Sequence, residues 1–324
     1  MNDGRRLGST DYEISPIGLG CLQFAQGRGV AGRIFSPLDA TTTREIVGAA
    51  LAGGVNWFDT AEVYGRGASE QALTTALRDN RVTTDEVLIA TKWAPWLRRS
   101  ASIERTISDR FRALQGYPIG LHQIHGPHGS LSSMRVQLRA MARLARENRI
   151  GAVGVSDFSA QQLREAAEIL RQEGVTLASN QTRISLLDRD IEHNGVLQTA
   201  RDLGITLIAY SPLCRGVLTG RLHEDPAHVQ AQSRSRRRRN PHLRGEGLAR
   251  TRPLIEEMRA IAHAYDVSVT QVALNWLITF YGDTVVAIPG ASRPRQAEEA
   301  AAAMELKLTG KELERLAVAG ERVR

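Results

Sequence analysis

One repeating pattern constrains this chain more than any other feature: a short apolar run, an amphipathic stretch of helical period, then another apolar run. The runs fall at residues 17–21, 55–59, 87–92, 121–125, 152–156, 177–181, 206–210 and 285–289. Helical patterns fill the intervals near 41–52, 69–79, 101–114, 131–146, 159–172, 190–202 and 254–281, the last dividing around Asp266-Val267-Ser268. Two more follow near 294–303 and 310–319. Strands that alternate with helices form parallel sheets, because a crossover helix returns the chain to begin the next strand in the same direction. Eight such units predict an α/β fold, a (β/α)8 or TIM barrel, in which chemistry gathers at the C-terminal ends of the strands. Residues 5–14 read as an N-terminal β-hairpin turning at Gly8-Ser9-Thr10-Asp11. A doubly wound sheet is the alternative, but Gly18-Leu19-Gly20-Cys21-Leu22-Gln23 lacks the last glycine of a dinucleotide-binding turn.

The 324 residues suit one barrel domain, residues 1–324, with long loops on the C-terminal side of the strands. A hydrophobic content of 42% and a charged content of 24% exclude a disordered or fibrous chain. The net charge of +7 admits an anionic partner. Arginine supplies nearly all of it, since lysine occurs only at Lys92, Lys307 and Lys311. The largest basic cluster, within residues 234–239, sits in a long irregular stretch from 212 to 252, lacks interleaved aromatics and reads as a solvated loop. No nucleic-acid partner is expected. Cys21 and Cys214 fit no zinc or redox spacing, no run approaches membrane-spanning length, and the expected setting is cytoplasmic, away from membranes.

The polar residues that end successive runs are Asp59, Lys92, His125, Ser156, Gln181 and Tyr210, and a barrel brings them to one mouth. Tyr64 follows Asp59 on the next loop. Taken singly, each has an ordinary explanation: a capping carboxylate, a strand-end lysine, a satisfied core histidine, a surface aromatic. Together they form a carbonyl-reducing site. A phenol with a pKa of about 10 is a reluctant acid near neutrality, and a neighbouring ammonium stabilises its phenolate. Asp59 holds that ammonium charged, while an imidazole N–H polarises the carbonyl. His122, His125 and His128 recur every three residues, but an odd separation along a strand alternates faces, so no metal site is expected.

These segments resemble the aldo-keto reductase family over nearly the whole chain. Gly54-Val55-Asn56-Trp57-Phe58-Asp59-Thr60-Ala61-Glu62-Val63-Tyr64-Gly65 is similar to its aspartate and tyrosine motif, Ile89-Ala90-Thr91-Lys92 to its lysine strand and Gln123-Ile124-His125 to its histidine strand. Gly154-Val155-Ser156-Asp157-Phe158, Ala209-Tyr210-Ser211-Pro212-Leu213 and Ile288-Pro289-Gly290-Ala291 are similar to three further segments. The resemblance implies reduction of an aldehyde or ketone with NADPH, NADH being the alternative. It makes Tyr64 the proton donor, Lys92 and Asp59 its tuning pair and His125 the substrate-orienting group. It also implies nicotinamide contacts at Ser156, Asp157, Gln181 and Tyr210, and phosphate contacts at Ser211, Leu213, Gly216 and Arg221. An adenosine-phosphate site follows at Gly290, Ser292, Arg293, Gln296 and Glu299. Gln23, Phe24, Trp93 and Trp96 are expected to line a pocket for a small carbonyl compound, ring-bearing or a sugar. The sequence departs from the family where Asp157 and Ala300 replace usual asparagines. A cofactor-binding subunit with little turnover is the other class this resemblance allows, and the complete tetrad argues against it.

Overall fold

The computed structural model describes residues 4–29, 36–230 and 240–323. An antiparallel hairpin, β1 (Arg5–Arg6) and β2 (Glu13–Ile14), precedes eight parallel strands. These are β3 (Leu19–Gly20), β4 (Trp57–Asp59), β5 (Leu88–Trp93), β6 (Leu121–Ile124), β7 (Ala152–Ser156), β8 (Leu177–Arg183), β9 (Thr206–Tyr210) and β10 (Val285–Ala287), bonded in chain order. Parallel bridges at Ile17 with Ala287 and Gly20 with Gly290 join the first strand to the last and close the barrel.

Side-chain alternation along the strands makes two apolar layers. Trp57, Leu88, Ala90, Leu121, Ala152, Ile208 and Val286 fill the interior, and Leu7 and Ile14 of the hairpin plug its floor. Their neighbours Phe58, Ile89, Val153 and Leu207 face outward against the helices. Trp57 fits the interior because Gly18 faces it: a Cβ there would meet the indole at 2.4 Å. The indole nitrogen donates to the Ser15 carbonyl at 2.9 Å, so this large ring carries no unpaired polar atom.

Helices cover the outer layer at Ala40–Ala52, Ala68–Asp79, Ala101–Ala113, Met134–Arg146, Ala160–Gln172, Val196–Leu203, Gly247–Ala264 and Val269–Phe280. Pro294–Ala302 and Gly310–Glu321 follow the last strand. Ser159, Ser268 and Thr309 each start a helix with a capping box, closed by Gln162, Gln271 and Glu312, which satisfies N–H groups a helix leaves orphaned.

Two expectations on element bounds are corrected. The helix placed at 190–202 begins only at Val196, after a 3-10 turn at Asp190–Glu192. The pattern at 254–281 does divide before Ser268, but its first helix starts at Gly247, inside the stretch read as irregular. Pro253 sits inside this helix. The arginines at 234–239 lie outside the described residues. Among the described residues, no helix is long and apolar enough to cross a membrane.

Candidate active site

The barrel places Asp59 at the end of β4, Lys92 near the end of β5 and His125 just past β6, at neighbouring positions around one mouth. Lys92 is fully buried, and its ammonium donates to Asp59 Oδ1 and, at 2.9 Å, to the Thr60 carbonyl. Asp59 Oδ2 accepts the side-chain amides of Gln123 at 3.2 Å and Gln181 at 2.8 Å. A buried ion pair repays its desolvation only when the remaining lone pairs are satisfied, and this carboxylate meets that condition.

Tyr64 lies over the ion pair, with Lys92 Nζ 5.3 Å from its ring centroid and the His125 ring 5.7 Å away in an edge-on arrangement. Gly65, at φ 68°, allows the turn: a Cβ there would lie 2.4 Å from the Ala25 carbonyl. Burial pushes the Tyr64 phenol above its ordinary range, and Lys92 opposes that without reversing it. The ammonium lies beside the phenol, yet burial outweighs its pull. Burial works against charge on Lys92 itself, and Asp59 with Tyr64 outweighs it, so the net shift is upward. Burial and the Lys92 charge push His125 down to about 3, which makes it a neutral imidazole at physiological pH.

The three histidines do not converge: only His122 lies within β6, and His125 and His128 follow it. His122 is buried in the outer layer and His128 is exposed. Among the described residues no cluster of three or more His, Cys, Asp or Glu is placed to hold a metal.

The other expected residues divide. Ser156 is buried at the end of β7 and Gln181 within β8, and Asp157 follows Ser156 at φ 56° with its carboxylate 3.4 Å from the Tyr210 hydroxyl. Ser211, Leu213 and Gly216 lie on the loop after β9, where Ser211, Cys214 and Arg215 hold φ of 53°, 46° and 56°. Left-handed non-glycine residues cost about 1–3 kcal/mol each and cluster at ligand clamps. Arg221 is exposed at the end of that loop. Gly290 packs against the Gln23 amide, and a Cβ there would lie 2.2 Å from Gln23 Nε2. Ser292 donates to Gln296 Oε1 at 2.8 Å through its backbone, while Glu299 pairs with Arg295 at 3.1 Å. Arg293 is exposed beside the first turn of Pro294–Ala302.

Two pocket expectations are corrected. Phe24 is fully buried in the outer layer, and Trp93 is also in that layer with its indole donating to Ser102 Oγ at 3.0 Å. Trp93 is one residue past Lys92, so strand parity turns it to the helix side. Of the three aromatics expected to line the pocket, Trp96 stands at the mouth, exposed, its ring 5.4 Å from His125. Sequence reading missed Gln123, which faces inward two residues before His125 and is visible by the same alternation. It also missed Glu62, whose carboxylate accepts the Ala94 N–H at 2.6 Å.

Fold and site together define a barrel oxidoreductase. The chain belongs to the aldo/keto reductase family, whose model matches residues 16–321. It is 38% identical over 299 residues to an uncharacterized oxidoreductase of Mycobacterium tuberculosis, covering 92% of this chain and 86% of that one. It is 30% identical over 310 residues to a chloroplastic pyridoxal reductase of Arabidopsis thaliana, covering 92% and 81%. Among solved structures, a glycerol dehydrogenase from Gluconobacter oxydans superposes with a TM-score of 0.83 at 27% identity, covering 98% of this chain and 95% of that one.

Proposed function

We propose that this protein reduces a small aldehyde or ketone to the alcohol with NADPH, Tyr64 giving the proton. The observation that carries the reading is the buried Lys92–Asp59 pair directly beneath the Tyr64 ring. An ammonium placed there serves a phenol that must become a phenolate.

The residues present fit the dinucleotide. Gln181 gives one amide N–H to Asp59, which leaves its carbonyl oxygen and the other N–H for a nicotinamide carboxamide. Asp157 only accepts when ionised, and its oxygen together with the Gln181 carbonyl can take the two N–H bonds of a carboxamide. The Ser156 hydroxyl can donate to its oxygen. Tyr210 offers a half-buried ring face. For the phosphates, the left-handed turn at Ser211–Gly216 and Arg221 supply backbone N–H groups and charge, and Arg293 stands at a helix start, where anions are favoured.

A bound reduced nicotinamide supplies the hydride to the carbonyl carbon. The protein's own groups do the rest. His125, neutral, keeps one N–H for the carbonyl oxygen and does not compete as a proton source. Tyr64 delivers its proton to that oxygen as negative charge develops there, and Lys92 stabilises the phenolate left behind. Asp59, held by Gln123 and Gln181, keeps Lys92 charged. Trp96 beside His125 forms an apolar wall suited to a ring-bearing carbonyl, and the relative named as a pyridoxal reductase supports an aromatic aldehyde among the first compounds to test.

The test is NADPH consumption with a panel of aromatic aldehydes, sugars and simple ketones, with Tyr64→Phe as control. Tyr64→Phe is expected to lower kcat by about 10²–10⁴-fold while NADPH still binds. Turnover by Tyr64→Phe equal to the parent would remove the phenol from the mechanism. NADPH binding without turnover of any compound would mark a cofactor-binding subunit.

A further inference from the structure

Between the tyrosine loop and β5 lies a set of polar contacts that the reaction itself does not use. Glu62 stands two residues before Tyr64, with its side chain mostly buried. Its N–H donates to the Lys92 carbonyl at 3.2 Å. Its Oε1 accepts the Ala94 N–H at 2.6 Å and the Arg98 guanidinium, and its Oε2 lies 3.8 Å from Arg110 Nη1. One residue thus ties the loop to β5 on both sides of Trp93.

The far end of this tie is fixed as well. Arg98 lies over the Trp93 ring at 5.3 Å and donates to Ser102 Oγ at 3.1 Å, Thr106 Oγ1 at 3.0 Å and the Ala94 carbonyl at 3.2 Å. Its carbonyl accepts the Leu131 N–H at 2.9 Å, and Leu97 N–H donates to the Gly129 carbonyl at 2.7 Å. The segment carrying Trp96 is therefore bonded to the segment that follows His125. Arg110 is shared with Glu70 at 3.2 Å, and Glu70 accepts the Thr91 hydroxyl at 2.6 Å, one residue before Lys92.

We propose that Glu62 is a positioning residue: through Arg98 it holds the proton donor's loop in register with Lys92 and with the Trp96 wall, so that donor, ammonium and substrate oxygen meet at one distance. The proposal rests on the reduction assigned to this site. A charge-assisted bond to Arg98 and an ion pair with Arg110, in a place largely closed to water, are strong enough to fix a loop. A displacement of about 1 Å at a reacting group costs as much as ~10²-fold in rate.

The test compares Glu62→Gln with Arg98→Met. Glu62→Gln keeps an oxygen for the Ala94 N–H but no charge for the guanidinium groups, and Arg98→Met cuts the same link from its more exposed side. Each is expected to lower kcat ~10-fold with the NADPH dissociation constant unchanged, and the double variant to fall no further than the worse single one. The second readout needs no turnover. The Tyr64 phenol is titrated by ultraviolet difference spectroscopy against Tyr64→Phe, in a setting where Lys92, Asp59, Cys21 and His125 surround it. Its midpoint is expected to rise in both variants, as the phenolate loses its ammonium. A folded variant of either kind with parental kcat and parental midpoint overturns the proposal, and so does a pure loss of thermal stability. If no carbonyl is reduced by the parent protein, the assigned reaction fails, while the titration still decides the role of Glu62.

Discussion

Gln181 reaches across the barrel to Asp59, its amide nitrogen 2.8 Å from the carboxylate, from β8 to the strand four places away. That contact exists because β8 carries one extra residue: Val153 pairs with Leu177, but Gly154 pairs with Ser179. Without the bulge Ala178, which faces the interior, and Gln181, three residues later, would point to opposite faces. With it both point inward, and Asp59 gains the donor that steadies it beneath Tyr64.

Asp59→Asn is expected to destabilise the fold, because it leaves the Lys92 ammonium in the interior with no counter-charge. Removing one partner of a buried pair costs about 3–5 kcal/mol, read as a lower urea midpoint. Adding Lys92→Met is expected to restore most of that stability and none of the activity. A single variant with the parental midpoint would show that the pair is not closed to water as its burial implies.

Glu70 is expected to make stability fall as pH rises through the weakly acidic range. Burial raises its pKa from 4.5 to about 7, against the pull of Arg110 and Thr91. The folded state therefore keeps this proton up to about pH 7, whereas the unfolded chain gives it up near 4.5. The whole effect is present by the time pH passes the upper value, and it amounts to about 3 kcal/mol lost relative to Glu70→Gln. Denaturation of both proteins at pH 5 and pH 8 checks it, and parallel stability curves would contradict it.

Asp157→Asn is expected to shift the balance between the two redox forms of the cofactor. An ionised carboxylate near the nicotinamide favours the oxidised ring, which is a cation, over the neutral reduced one. Two unit charges about 4 Å apart in water interact by about 1 kcal/mol, so the variant is expected to lose on the order of fivefold in NADP⁺ affinity relative to NADPH. Calorimetric titration with each form measures the ratio, and an unchanged ratio would place Asp157 away from the ring.

Arg293→Ala is expected to weaken NADPH binding by about 10- to 100-fold, the 1.5–3 kcal/mol of a charge-assisted contact, and to leave NADH binding nearly untouched. Added salt should narrow the parental preference, because this guanidinium is exposed. Equal losses for the two dinucleotides would point to a general effect on the loop after β10.

Much of this was legible in the chain before any coordinates. Apolar runs separated by helical periods fix parallel strands and their order, because each strand needs a face to bury and each crossover needs a helix. Asp59, Lys92 and His125 were visible as polar ends of such runs, and Tyr64 by its distance from Asp59. What single-strand alternation cannot carry is any relation between strands. Trp93 and Phe24 have the composition of pocket residues, yet parity and packing turn them toward the helices.

The bulge in β8, the clamp at Glu62 and the net direction of each titration were decided by tertiary structure alone. They depend on which groups lie within a few ångströms of one another, and on how much water the closed barrel leaves around them. Periodicity governs where a backbone buries its apolar face. Only the assembled barrel decides whether burial or a neighbouring charge prevails at Tyr64.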